Sequence, residues 1–444
     1  MRFKNTPRLG LLLLVFGACL PALAQKPEFH GAGWMQFGRI ENSWAVTNSP
    51  NDYDENWIGN YGGLLSSSFR VDENWEAGLG AGSLLVHLAR GNRNEANIWY
   101  PFWVGFLNEA RFTWANTGYA ENGGFRLTVG TQPYDYNRDA KNLGVYLLRG
   151  YVYPGTVVSG FADLFAVPAS RSGLLGRIHL PGLLNGLTND FMANVETDDK
   201  PFYDISVADV VDFRLHSSLE LGAGVNFYRL FAAEKNATSP GKDCTGRGPD
   251  GNTGPGGIQD SPCFIQVPNA AGGLDTITGS LSGTKLMGRF RIDPKVWFGS
   301  PEVFGADEMV LYGEAAVLGV KDYPIFYDDI LRRIPVMLGF NVPTAKVLNL
   351  SLEVEYYASK NSSDNLPAQN GSWLPAALGG PSTGRDDWKW SVNASKVVLG
   401  NIFVGAQVAN DHLRLGGTHN TATGQEALRT LSDYYWVVKT AYFF

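Results

Sequence analysis

Apolar and polar residues alternate one by one along much of this chain, in runs divided by polar stretches. Leu219, Leu221, Ala223, Val225 and Phe227 fall on one face at period two, and Glu220, Gly222, Gly224, Asn226 and Tyr228 on the other. Leu348, Leu350, Leu352, Val354 and Tyr356 likewise oppose Asn349, Ser351, Glu353 and Glu355. Leu286, Gly288, Phe290 and Ile292 oppose Lys285, Met287, Arg289 and Arg291. Phe125, Leu127 and Val129 oppose Arg126, Thr128 and Gly130, and Ile402, Val404, Ala406 and Val408 oppose Phe403, Gly405, Gln407 and Ala409. Successive side chains of a strand point to opposite sides of a sheet, so each run predicts a strand with one apolar face. The final run is the clearest. Tyr434, Trp436, Val438, Thr440, Tyr442 and Phe444 share one face, while Asp433, Tyr435, Val437, Lys439, Ala441 and Phe443 share the other, which carries both charges.

The connections between runs differ in length. Residues 72–74, 215–217 and 343–346 are tight, whereas 41–57, 132–154, 232–278, 359–386 and 411–431 are long and polar. Strands running alternately up and down then occupy 28–40, 59–71, 75–89, 104–116, 123–132, 154–164, one place within 172–197, and 203–214. The second half gives 218–231, 279–293, 309–318, 334–341, 347–358, 387–394, 401–410 and 432–444. The total is about sixteen. Within 172–197 the segments 172–180 and 189–197 compete for one place, and fourteen or eighteen strands are the alternatives. Asp209 falls on the apolar face if the phase of 203–214 holds.

The first 24 residues read as a secretory signal peptide: Arg2, Lys4 and Arg8, then the apolar stretch 10–20, then Ala22-Leu23-Ala24 before a mature start at Gln25. A lipidated Cys19 is the rival reading, and Phe16 fits it poorly. No other window approaches the run of about twenty apolar residues that a membrane helix needs. Barrel strands need only alternation, and an exported chain with apolar-faced strands predicts a transmembrane antiparallel up-and-down β-barrel spanning 25–444. Hydrocarbon cannot satisfy an open sheet edge, so the first strand, with Trp34, Met35, Phe37 and Ile40, must pair with the last. The tail resembles the C-terminal signature of bacterial outer-membrane barrels, with Phe444 terminal and Tyr442 two residues earlier. That resemblance implies an outer-membrane location, periplasmic termini, lipid around the barrel, and recognition of Tyr442 and Phe444 by the barrel-assembly machinery.

Composition and charge agree with such a chain. It holds 53 Gly, 12 Trp, 19 Tyr and 25 Phe, and only 18% of its residues are charged. The net charge of −7, made more negative by loss of the signal, argues against nucleic acid as a partner. After processing the only cysteines are Cys244 and Cys263, both in the long loop 232–278, and an intrachain disulfide is expected of an exported protein.

Candidate chemistry is sparse. Residues 51–56 resemble the start of a calcium loop, but Trp57 stands near the place where such a loop wants glycine. Gly78, Gly80 and Gly82 lie on one strand face, where small residues make room rather than cradle phosphate. None of the six histidines forms a metal-ligand pair, and Asp411-His412, the one acid–His dipeptide, reads as solvated loop. No catalytic residue, cofactor or metal is expected.

The inward charges carry more meaning. Glu109, Arg111, Arg126, Glu220, Lys285, Arg289, Arg291, Glu314, Glu353, Glu355 and Lys439 face the interior by phase, because a charge at the bilayer midplane costs several kcal/mol. Arg289 and Arg291 stand three strands from Glu353 and Glu355, an arrangement that resembles the opposed charges of general porins and suits a wet lumen. The segment 132–150 follows the fifth strand, as the constriction loop of general porins does. It carries Asp135, Arg138, Asp139, Lys141 and Arg149, with Leu143, Leu147 and Leu148 as anchors; folding inward and packing outward are both open to it. The expected function is a porin passing small hydrophilic solutes. A non-conducting adhesin or anchor working through its loops is the alternative. Assembly into a homo-oligomer is left open.

Overall fold

The computed structural model describes residues 27–42, 55, 57–88, 102–148, 157, 170–184, 186–197, 203–231, 264–268, 273–278, 283–298, 303–320, 330–357, 388–415, 425–426, 428 and 430–444. The strands in chain order are β1 (Glu28–Asn42), β2 (Trp57–Arg70), β3 (Trp75–Leu88), β4 (Phe102–Ala115), β5 (Gly124–Pro133), β6 (Ser170–Leu180), β7 (Leu187–Val195), β8 (Ile205–His216), β9 (Leu219–Phe231) and β10 (Phe264–Pro268). They continue with β11 (Leu274–Thr278), β12 (Gly283–Ile292), β13 (Leu311–Val317), β14 (Val336–Val342), β15 (Asn349–Tyr356), β16 (Trp388–Val398), β17 (Ile402–Asn410), β18 (Arg414–Leu415), β19 (Gln425–Glu426) and β20 (Tyr434–Phe443). Sixteen of these, β1–β9, β12–β17 and β20, form one closed barrel in which every neighbour is antiparallel. The pairs β10–β11 and β18–β19 are separate two-stranded ribbons.

Closure is made by β1 against β20, in register from Ala32↔Phe443 to Asn42↔Tyr434 with one shift near Ile40. Gly31 and Phe444 exchange backbone hydrogen bonds of 2.8 and 3.0 Å at the lower rim. That rim also carries most of the short links. In the β2–β3 turn, Asp72 accepts the N–H groups of Asn74 and Trp75 at 2.8 and 2.9 Å. Only Ser217 and Ser218 separate β8 from β9, and the β14–β15 link turns through Ala345 and Lys346 at positive φ.

One expected strand is not in the wall. Residues 154–164 insert nothing between β5 and β6, which pair directly from Gly124↔His179 to Pro133↔Ser170. Val157, the one described residue of that segment, is buried in the interior. Both competitors for the next place span instead, as β6 and β7, so the count stays at sixteen. Here β6 runs Leu174, Gly176 and Ile178 outward and Leu175 and Arg177 inward, so the wall needs no third apolar run. The signal segment 1–24, Cys244, Cys263 and most of 51–56 lie outside the described residues.

The outer face is apolar and exposed. Leu65, Leu107, Val129, Leu338, Val354 and Val438 are all at least two-fifths exposed. Aromatic rings concentrate at its two ends. At the long-loop end, Phe37 stacks on Trp57 at 4.7 Å, Trp436 meets Trp57 edge-on, and Tyr356 meets Trp388. The Trp436 indole N–H donates to Glu41 at 2.7 Å, so each ring keeps an apolar body and a wet edge. At the short-turn end, Trp75 stacks on Phe112 at 4.9 Å and Tyr442 on Phe444 at 6.0 Å.

Asp209 does point outward. Its carboxylate accepts the Asn189 amide at 2.8 Å, which satisfies one polar group with another on an apolar surface.

Candidate functional site

Inward residues of the barrel meet a segment of chain that crosses the lumen. After β5, residues 134–148 fold inside and reach β13 and β15, six and eight places around the sixteen-strand ring from β5. Leu143 and Leu147 are completely buried there, beside Met192, Val210, Met287 and Met337 of the wall. The apolar side chains hold the loop against one half of the barrel.

Two carboxylates fix its far end. Glu353 of β15 accepts the backbone N–H groups of Lys141, Asn142 and Leu143, the last two at 2.9 and 3.0 Å. Glu314 of β13 accepts those of Val145 and Tyr146 at 3.2 and 2.7 Å, the Tyr136 hydroxyl at 2.7 Å and the Asn137 amide at 2.7 Å. Gly144 and Val145 both take positive φ, 84° and 59°, which turns successive N–H groups towards one acceptor. A β-branched residue rarely adopts that conformation, so the anchor holds Val145 in strain. Between the two glutamates runs β14, whose Gly339 leaves space for Tyr312 to lie flat and donate to Glu353 at 2.9 Å.

A second cluster ties the loop to the mouth. Asp411 accepts the Asn142 amide at 2.8 Å and the Tyr435 hydroxyl at 2.6 Å. His412 meets Glu355 at 2.6 Å, and Tyr146 donates to the other oxygen of Glu355 at 2.7 Å. Asp411 and His412 are 0% and 1% exposed, so the dipeptide expected in solvent is interior. Burial pushes the Asp411 carboxyl up to about 6, against the hydrogen bonds from Tyr435 and Asn142. Burial and the facing Glu355 hold the Tyr146 hydroxyl well above the ordinary phenol range. Leu413 and Leu428, also buried, pack inside the mouth near Ile40, Ile58 and Tyr435.

The residues expected to line the lumen therefore divide into groups. Glu353 and Glu355 were expected on a wet wall, but they are 1% and 0% exposed and their oxygens are taken up by loop and wall donors. Lys285, 1% exposed, lies 4.8 Å from the Tyr228 ring. Arg289 pairs with Asp212 at 2.6 Å and Glu220 at 2.8 Å, and Arg291 with Asp139 of the loop at 3.2 Å. These are braces of the filled half.

On the other side, Arg111 pairs with Glu76 at 2.5 Å and with Glu109. Asp135, Arg138 and Lys141 are exposed on the loop. A cavity of about 340 Å³ lies between loop and wall, lined by Arg111, Arg126, Arg138 and Arg177 among others. A second, of about 290 Å³, is lined by Lys141, Asn393 and Lys439 among others. The glycine face of β3 does make room here. A side chain at Gly78 would strike Glu109, and one at Gly82 would strike Phe106, so both residues lie flat along the wall.

Tyr136, Tyr146, Tyr312, Arg177 and Asp190 carry much of this architecture and none is singled out from the sequence. A signal exists for Tyr312, which shares the inward phase of Glu314 on β13, and for Arg177 and Asp190, which lie on inward positions of β6 and β7 once those strands are placed.

No protein-family model matches the chain, and no curated protein matches it in sequence. Solved structures do align with it. One is Salmonella typhi OmpF in complex with daunomycin, at 12% identity over 94% of this chain and 98% of that one, TM-score 0.47. Another is a triple mutant of the Rhodopseudomonas blastica porin, at 10% identity over 94% of this chain and 100% of that one, TM-score 0.43. The closed sixteen-stranded antiparallel barrel rests on this chain's own strand pairing. Its function is read from this chain's own interior.

Proposed function

We propose that the protein is an outer-membrane channel through which small hydrophilic solutes diffuse. The observation that carries this reading is the crossing loop. It narrows the lumen but leaves space on either side, and the larger of the two spaces described is lined mainly by polar and charged side chains. A chain that needed only a rigid anchor has no use for charged cavities inside its wall. Two aromatic girdles flanking an apolar band support insertion in a bilayer. In this reading the short-turn rim and both chain termini face the periplasm. The exposure of Tyr442 and Phe444, 48% and 63%, supports their being read by the assembly machinery, and in this reading Cys244 and Cys263 close a disulfide. The solute path is lined by Arg111, Arg126, Arg138, Lys141 and Lys439, while Arg291, Glu353 and Glu355 hold the loop and Arg289 braces the wall behind it.

One observation favours the alternative of a closed barrel serving as an anchor or adhesin. Leu413 and Leu428 fill interior space near the mouth. Reconstitution of the purified protein in planar bilayers separates the two: discrete, ohmic conductance steps are expected. A folded barrel that inserts and never conducts would establish the anchor instead.

A further inference from the structure

The cations around the larger cavity are not equally satisfied. On β4, Arg111 is taken up by Glu76 and Glu109. On β6, Arg177 donates from Nε and Nη2 to the two oxygens of Asp190, both at 2.6 Å. The Tyr134 hydroxyl donates to the same carboxylate at 3.0 Å. Between these two strands, Arg126 of β5 faces Arg177 directly in the strand register. Like charges opposite one another across an antiparallel pair are unfavourable. Arg126 is only partly exposed, and no hydrogen bond or ion pair joins it to any described residue. Arg138 approaches the cavity from the loop, and its guanidinium is likewise without an acceptor among the described residues.

The carboxylates of the lining make no ion pair with either of them. Glu109 is committed to Arg111, and Asp135 accepts the N–H of Asn137 at 2.9 Å. The wall and the loop thus present two unused guanidinium groups to one space of about 340 Å³. Each is a planar fork of donors suited to a pair of anionic oxygens.

We propose that this cavity is a subsite for oxyanion-bearing solutes, carboxylates or phosphates, held by Arg126 from the wall and Arg138 from the loop. The inference rests on the channel reading above. An arriving anion supplies Arg126 with the partner that Asp190 supplies to Arg177, and it relieves the repulsion between the two arginines. Arg111 and Arg177, already paired, keep the wall in shape. The volume suits inorganic phosphate or a short organic acid. Binding in a permeation path must be weak enough to release, so millimolar affinity is expected.

Two measurements on the detergent-purified barrel test this, with Arg126→Gln and Arg138→Gln as variants and phosphate and acetate as probes. In planar bilayers under a salt gradient, the wild type is expected to prefer anions, and each probe to block chloride current. Arg126→Gln should weaken block about five- to ten-fold, the loss of one charge-assisted contact, and Arg138→Gln should weaken it as well. In heat-unfolding, the probes should raise the wild-type midpoint and leave that of Arg126→Gln unmoved. Without probe, Arg126→Gln should be at least as stable as the wild type, because a like-charge pair is gone; that shows the variant folds. Block by phosphate alone, or by acetate alone, would name the oxyanion taken. A wild type that conducts but shows neither block nor thermal shift, or variants that behave as wild type, would overturn the subsite and leave the channel standing. Absence of any wild-type conductance would overturn the channel reading and this permeation subsite with it.

Discussion

The Tyr146 hydroxyl donates to Glu355 at 2.7 Å across the inside of the barrel, although 209 residues separate the two in the chain. Tyr146 belongs to the crossing loop and Glu355 to β15, so this contact and its neighbours hold the loop across the inside of the barrel. The other oxygen of Glu355 meets His412 near the mouth. One carboxylate therefore joins the loop, the wall and the entrance.

The loop should detach when its main anchor is neutralised. In Glu353→Gln one acceptor oxygen becomes a donor that faces the N–H groups it formerly received. Stranding them should cost about 2–3 kcal/mol. The barrel should still assemble, since the strand register does not depend on the loop. Single-channel conductance should rise and proteolytic cleavage within 134–148 should appear; unchanged conductance and protection would contradict the anchoring role.

Acidity should tighten the same attachment. The Asp411 carboxyl titrates at about 6, raised by burial, and ordinary aspartate lies near 3.8. A carboxyl raised in the folded state favours folding when protonated, so its contribution is lost as pH rises through 6. The difference corresponds to at most about 3 kcal/mol between pH 4 and pH 8. His412, Lys389 and Glu355 stand nearby and titrate or carry charge as well, so the comparison is with Asp411→Asn. The heat-unfolding midpoint of the wild type should fall from pH 5 to pH 7.5 more steeply than that of the variant; parallel curves would remove Asp411 from the account.

Asn189 and Asp209 make a polar pair on the outer apolar face. Asn189→Val leaves the carboxylate without its donor and should cost about 1–3 kcal/mol. Replacing both, Asn189→Val with Asp209→Val, should recover the wild-type midpoint or exceed it, because neither polar group remains. Equal losses from the single and double variants would show that packing, not the pair, sets stability there.

Much of the barrel is legible in the sequence because its determinant is local. Side chains of a strand alternate faces with period two, so the outward faces of β9, β12, β15, β17 and β20 follow from counting, and so do their inward charges. Turn residues such as Asp72 and the contrast between short and long links point to the up-and-down order. The choice between 154–164 and the two runs that became β6 and β7 was not local. It depended on which segments find a neighbour with a matching edge, and Gly124–Pro133 pairs directly with Ser170–Leu180. The site was hidden for the same reason. Phase placed Glu353 and Glu355 inside, but nothing periodic says that Asn142 and Tyr146 will come to meet them, or that Asp411 and His412 will be buried there. A repeating pattern records which way a side chain points. What it touches once inside is set by where a long loop can place its own N–H groups and leucines, and only the closed barrel brings those surfaces together.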